Sequence, residues 1–124
     1  MFGWAGKILR VDLSREKIVE ESLGKGLTAN FMGGRGINVK ILYDELKPKT
    51  DPLGPKNVLI FGCGPLTGTL SPCSGRFNIT TLSPLTQILG DSNCGGWWAP
   101  ELKFAGYDHI VVYGRAEKPV YLWI

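Results

Sequence analysis

The sequence is short of the side chains that usually carry chemistry: one histidine, His109, and three cysteines, Cys63, Cys73 and Cys94, in 124 residues. The cysteines are widely spaced and form no C-x-x-C pair. A zinc or iron–sulfur site built from this chain alone is therefore not expected, since such sites take about four closely spaced ligands. An odd count argues against a disulfide framework, and small thiols filling tight positions near loops are the simpler reading. No apolar run approaches the roughly 20 residues of a membrane span. The opening MFGWAGKILRVDL lacks the basic segment and long apolar core of a signal peptide, so a cytoplasmic protein is expected. The net charge of +3 is mild and its basic residues are scattered. Without a Lys/Arg stripe and interleaved aromatics, nucleic acid is not an expected partner.

Glycine is abundant instead, at 17 residues, with 8 prolines, against a hydrophobic content of 44% and a charged content of 20%. That balance suits one globular domain over 1–124 with ordered loops. Lys7 to Leu13 alternates as a half-buried strand, Ser14 to Lys17 is a turn, and Ile18 to Leu23 is extended again, which predicts a hairpin. Asp12, Glu20 and Glu21 are expected to be solvated on it. Gly24 to Met32 reads as a short helical piece with Thr28 or Asn30 as a cap. Gly33 to Gly36 opens a longer helix through Leu46, with Ile37, Ile41, Leu42 and Leu46 on one side and Pro48 ending it. Val58 to Phe61 is an apolar strand covered on both faces.

Arg76 to Leu82 alternates, with Arg76, Asn78 and Thr80 on one face and Phe77, Ile79 and Thr81 on the other. Gly90 to Gly96 reads as a loop, followed by a helix to Ala105 with Pro100 in its first turn and Gly106 closing it. His109 to Tyr113 and Val120 to Ile124 read as strands. The pattern predicts an α+β fold with mixed or antiparallel sheets and a few short helices. Trp4 and Trp123 are expected in the core, and Trp97 and Trp98 against a ligand or another domain. The closing YLWI fits a strand that is buried or a chain that is a piece of a longer one. His109 is expected to partner Asp108 or solvent.

The stretch from Gly62 to Gly96 combines two loops of small residues with one arginine, Arg76. Glycines let main-chain N–H groups approach a ligand, and prolines fix loop shape. Asn93-Cys94-Gly95-Gly96 precedes a predicted helix, where free amides favour phosphate. Asn93 could cap that helix, or its carbonyl could take a hard cation such as magnesium. Arg76 suits a phosphate better than lysine would.

The segments GPLTGTLSPCSGRFNITTLSPLT, SNCGG, ELKFAGYDHIVVYGRAEKPVYLWI, GWAGKILRVDLS and FMGGRG together resemble the N-terminal domain of the aldehyde ferredoxin oxidoreductase family across essentially the whole chain. That resemblance implies a cofactor-platform domain of a larger enzyme. The cofactor implied is a tungsten (or molybdenum) bis-pterin beside a 4Fe-4S cluster, whose ligands would lie outside this chain. The activity implied is oxidation of aldehydes to carboxylic acids with ferredoxin as acceptor, with residues 1–124 inactive alone. On the same resemblance Arg76 would lie between pterin phosphate and cluster. Asn93 would offer its backbone carbonyl to the magnesium that bridges the pterin phosphates, and Gly95 would make a backbone contact to the cofactor. The partners implied are the remaining domains of the same enzyme, ferredoxin or a related carrier, an aldehyde substrate and possible further copies of the chain. Two other readings of the residues stand beside it: a free-standing phosphate- or nucleotide-binding module, and a metal-free structural or assembly paralogue.

Overall fold

In the computed structural model, which describes residues 2–124, six strands form one mixed sheet between two helical layers. The strands are β1 (Lys7–Asp12), β2 (Lys17–Ser22), β3 (Val58–Cys63), β4 (Phe77–Leu82), β5 (Leu89–Cys94) and β6 (His109–Tyr113). The helices are α1 (Lys25–Asn30), α2 (Arg35–Glu45) and α3 (Trp98–Phe104). The sheet order is β2-β1-β6-β3-β4-β5. Among the described residues only β1 and β6 run parallel; every other pair is antiparallel. Among the described residues no helix is long and apolar enough to cross a membrane.

Side chains alternate across a strand, so the central strands feed two cores. Ile8, Val58, Ile60 and Val111 meet Ile37, Ile41 and Leu42 of α2 on one face. Leu9, Val11, Cys63 and Ile110 meet Ala99 and Leu102 of α3 on the other. The predicted hairpin, the long helix and the β4 alternation all form. The α2 stripe buries Ile37, Ile41 and Leu42, with Leu46 packed against the same cluster. Pro100 lies in the first turn of α3, and Gly106, at φ +95°, donates its N–H to the Lys103 carbonyl at 3.0 Å. Coverage of β3 is uneven: Leu59, on the α3 face, is 37% exposed.

Several expectations are corrected. Leu89–Cys94 is a strand paired over its whole length with β4. Its sequence LGDSNC reads as a loop because it is an edge strand with almost nothing buried, so no apolar alternation marks it. Val120–Ile124 is not a strand. It crosses the α3 face of the sheet, where Val120, Tyr121, Leu122 and Ile124 line one groove with Phe61, Phe77 and Trp98, while Trp123 is 89% exposed rather than core. Trp4 is half-buried against the α2 cluster.

Neither Thr28 nor Asn30 caps α1. Their side chains turn back to the carbonyls of Lys25 and Gly26, at 3.1 and 2.8 Å, and the cap position is Gly24. Asp12 is buried, not solvated. Its carboxylate accepts the N–H groups of Ser14 and Arg15 at 3.0 and 3.1 Å and so closes the β1–β2 turn. Glu20 and Glu21 are exposed, paired with Lys7 and Arg10.

Candidate functional site

The β4–β5 ladder pairs Phe77 with Cys94 and Asn78 with Asn93. Continued by one residue, the same register sets Arg76 opposite Gly95, and by two it sets Gly75 beside Gly96. A β-carbon at Gly75 would lie 3.0 Å from the Gly96 carbonyl, consistent with that register. The two small-residue loops thus meet at one corner of the sheet, with Arg76, Asn93 and Gly95 within a few residues of each other across the ladder.

Arg76 is exposed and makes no ion pair among the described residues. It stands in the wall of a cleft of about 740 Å³ that also includes Trp4, Phe31, Pro65, Thr67 and Ser74. Thr67 is buried, and its hydroxyl ties the loop to the start of β4, accepting from Gly64 N at 3.3 Å and donating to the Arg76 carbonyl at 3.4 Å. Asn93 and Gly95 do not line this cleft; they lie on the open edge beside it. A β-carbon at Gly95 or Gly96 would meet nothing within 4 Å, and Gly96 holds φ +113°. Main chain there is accessible from outside, as a large anionic ligand requires.

The expected helix-start cradle is corrected. Asn93 belongs to β5, and α3 begins only at Trp98, after a Trp97 cap with no side-chain hydrogen bond. The helix is one seven-residue piece with Glu101 in its first turn, which disfavours an anion. The Asn93 side chain instead faces inward: its Oδ1 is 3.3 Å from Asn78 Nδ2.

Asn78 is the centre of a buried amide chain. Its Nδ2 lies 2.9 and 3.2 Å from the Asp91 carboxylate oxygens and 3.1 Å from the Ser92 carbonyl. Its Oδ1 accepts from Thr80 Oγ1 at 2.6 Å and from Asn38 Nδ2 at 3.0 Å. Asn38 Oδ1 is in turn 2.8 Å from His109 Nδ1. Asp91 is also ion-paired with Arg35, the first residue of α2. His109, expected beside Asp108 or solvent, is wholly buried and faces Asn38, and its Nε2 has no partner among the described residues. Burial pushes its pKa down to about 4, with Asp108 opposing and Lys103 adding to the shift. The neutral ring with its proton on Nδ1 fits this geometry. Burial likewise pushes the Cys63 thiol up to about 12, which keeps it protonated and inert.

Sequence reading found Asn78 on the polar face of β4 but missed Asn38 and Asp91. The available signal was an asparagine amid the apolar stripe of α2, directly after Ile37. Among the described residues no group of three or more His, Cys, Asp or Glu side chains could hold a metal ion. From this chain a cation at Asn93 would find main-chain oxygen, a hard donor of the kind magnesium takes. The three cysteines do not converge: Cys63 is buried under α3, while Cys73 and Cys94 are exposed.

Residues 8–124 match the family model described as aldehyde ferredoxin oxidoreductase, N-terminal domain. The chain is 48% identical over 124 residues to the tungsten-containing aldehyde ferredoxin oxidoreductase of Thermococcus kodakarensis, which takes in all of this chain and 20% of that protein. It is 41% identical over 127 residues to the WOR-like subunit of an aliphatic sulfonate oxidoreductase of Pyrococcus furiosus, with the same coverage of 100% and 20%. Among solved structures, the active-site complex BamBC of benzoyl coenzyme A reductase with 1,5-dienoyl-CoA is similar at a TM-score of 0.92 and 39% identity, over 94% of this chain and 18% of that one. The chain spans about a fifth of the length of the curated relatives it matches.

Proposed function

The chain belongs to the aldehyde ferredoxin oxidoreductase family, and from that membership we propose that residues 1–124 are the cofactor platform of a tungsten (or molybdenum) bis-pterin oxidoreductase. The observation that carries the reading is the β4–β5 register. It sets an exposed arginine, two open glycines and the Asn93 main chain at one corner of the sheet.

Each group has a task that its chemistry fits. The Arg76 guanidinium presents a planar fork of donors and a fixed charge, which would hold a pterin phosphate and add positive charge beside a 4Fe-4S cluster. Gly95 lets the pterin approach the main chain, because no side chain stands above it. The Asn93 carbonyl would supply a hard oxygen to a magnesium ion bound with the cofactor. A bound metal–pterin centre would supply the redox chemistry, which we read as oxidation of an aldehyde to a carboxylic acid with ferredoxin as acceptor. The polypeptide described here binds and orients that centre; cluster ligands and the substrate pocket belong to the rest of the enzyme. The relatives are named for an aldehyde, a sulfonate and a coenzyme A thioester, so the shared unit fits the common cofactor better than any one substrate.

The test is elemental analysis of the full-length protein for tungsten, molybdenum, iron and magnesium, beside Arg76→Ala. Bound tungsten or molybdenum with iron, and at least a several-fold loss of metal or turnover in the variant, is expected. A metal-free full-length preparation would favour a structural paralogue. Normal metal content and turnover in Arg76→Ala would remove the role given to that residue.

A further inference from the structure

We infer that Asn78 is a positioning residue for the cation end of this platform: it fixes the Asn93 main chain by holding β5 to the protein interior through a polarised chain of buried amides. The inference rests on the reading that the Asn93 carbonyl meets magnesium.

Strand β5 is an edge strand, hydrogen-bonded on one side only, to β4, and every residue of it except Gly90 is exposed. Apolar packing therefore does little to place it. What ties its side chains down is polar. Asn78, itself 3% exposed, sends its amide toward the Asp91 carboxylate, the Ser92 carbonyl and Asn93 Oδ1. From above, Arg35 at the start of α2 pairs with the same carboxylate. Three successive residues of β5, ending at the proposed ligand, thus share the two N–H groups of one buried amide.

The orientation of that amide is dictated from the core. Thr80 Oγ1 and Asn38 Nδ2 both donate to Asn78 Oδ1, at 2.6 and 3.0 Å, which leaves only the Nδ2 end to face β5. Asn38 is oriented in its turn because its Oδ1 faces His109 Nδ1 at 2.8 Å and its Nδ2 also reaches the Asn78 carbonyl at 3.0 Å. All donors point the same way, from His109 through Asn38 and Asn78 to β5, so each bond strengthens the next. One consequence reaches the ligand: with Asn93 Oδ1 engaged inward, the residue has its main-chain carbonyl left to offer a cation. Partners of this kind, which orient a ligand without touching the metal, typically change metal affinity about 10–100-fold when removed.

The experiment uses the full-length holoenzyme with its magnesium exchanged for manganese(II), read by electron paramagnetic resonance of the bound ion. Wild type is expected to hold manganese with one well-defined signal. In Asn78→Ala the affinity should fall about tenfold or more and the signal broaden. Asn78→Asp keeps the size and the acceptor end but loses the donors that face the Ser92 carbonyl and Asn93 Oδ1, and should lower affinity as far as Asn78→Ala. Asn57→Ala is the structural control. Its amide pins the far end of β4, donating to the carbonyls of Pro52 and Leu82 at 2.8 and 3.0 Å, so it should lower the thermal midpoint and leave the manganese signal unchanged. If wild type binds manganese and Asn78→Ala binds it as tightly with the same line shape, the positioning role is wrong and the platform stands. An equal effect in Asn57→Ala would also overturn it, as mere loss of stability. If wild type holds no manganese at all, the magnesium reading fails and this inference with it.

Discussion

A β-carbon at Gly62 would lie 2.1 Å from Asn38 Oδ1 and 2.5 Å from His109 Nδ1, so the buried amide chain exists only because that residue has no side chain. Gly62→Ala should cost about 3 kcal/mol, from overpacking and from broken buried hydrogen bonds, and lower the thermal midpoint by about 10 °C. Gly95→Ala, with open space around it, should stay within about 0.5 kcal/mol of wild type while obstructing a ligand. A matching loss in both variants would contradict this assignment. His109 adds a pH dependence whose sign is fixed. Its pKa falls from 6.5 to about 4 on burial, so between those values the unfolded chain binds the proton and the native one does not. Stability is therefore full above pH 6.5 and declines as the pH falls toward 4, by on the order of 3 kcal/mol in all. Unfolding of the chain followed by tryptophan fluorescence at pH 7, 5.5 and 4.5 should show that slope, and His109→Gln should flatten it. None of this was visible in sequence, where the lone histidine beside an aspartate reads as a surface pair. Only the β3–β6 register, which sets His109 against Gly62, buries it.

Among the elements, legibility followed apolar burial. Strands β1 and β6 and helix α2 announce themselves because a core on either face imposes periods of two and 3.6. Strand β5 lacks that signal, since pairing alone makes it a strand, and the 120–124 run misleads because its apolar residues cover a sheet face without joining a ladder. The same rule explains why Asn78 could be placed on the polar face of β4 from sequence but its partners could not. A local alternation carries the former, while Asn38, Asp91 and His109 join it through contacts 13 to 71 residues apart. A second long-range device joins three elements. Lys103 near the end of α3 pairs with Asp108 just before β6, both buried, and donates to the Gly3 carbonyl at 2.8 Å. Asp108 also accepts the N–H groups of Ala5 and Gly6, at 3.1 and 2.6 Å. Lys103→Met would leave a buried carboxylate without its cation, which should destabilise by about 3 kcal/mol. Amide exchange at Ala5 and Gly6 should accelerate in that variant ahead of the α2 face. Unchanged exchange there would mean that the lysine does not hold the N-terminal segment.

At the scale of the whole molecule the two faces of the sheet are unequal. The α2 face closes over a cluster running from Ile8 through Ile60 to Val111. The α3 face is covered by a helix of seven residues, and the apolar ground that α3 leaves, around Leu59, Phe61 and Phe77 beside Trp98 of that helix, is met by Val120, Tyr121, Leu122 and Ile124. The aromatic rings beneath pack on each other, with Phe77 and Trp98 centroids 4.3 Å apart. Because Leu122 and Ile124 remain 38% and 48% exposed, their cover is partial, and each contributes about 1 kcal/mol. Leu122→Asp with Ile124→Asp should therefore lift the segment without unfolding the sheet. The expected signature is a red shift of tryptophan emission as Trp98 meets water, together with stronger binding of an apolar dye, while circular dichroism stays near wild type. The corner that carries Arg76 lies on loops tied separately through Thr67 and Asn78, so manganese binding in the full-length protein should survive the double substitution. If dye binding does not rise, the segment is not what shields this face; if the cation site is lost as well, platform and apolar face are one cooperative unit rather than two.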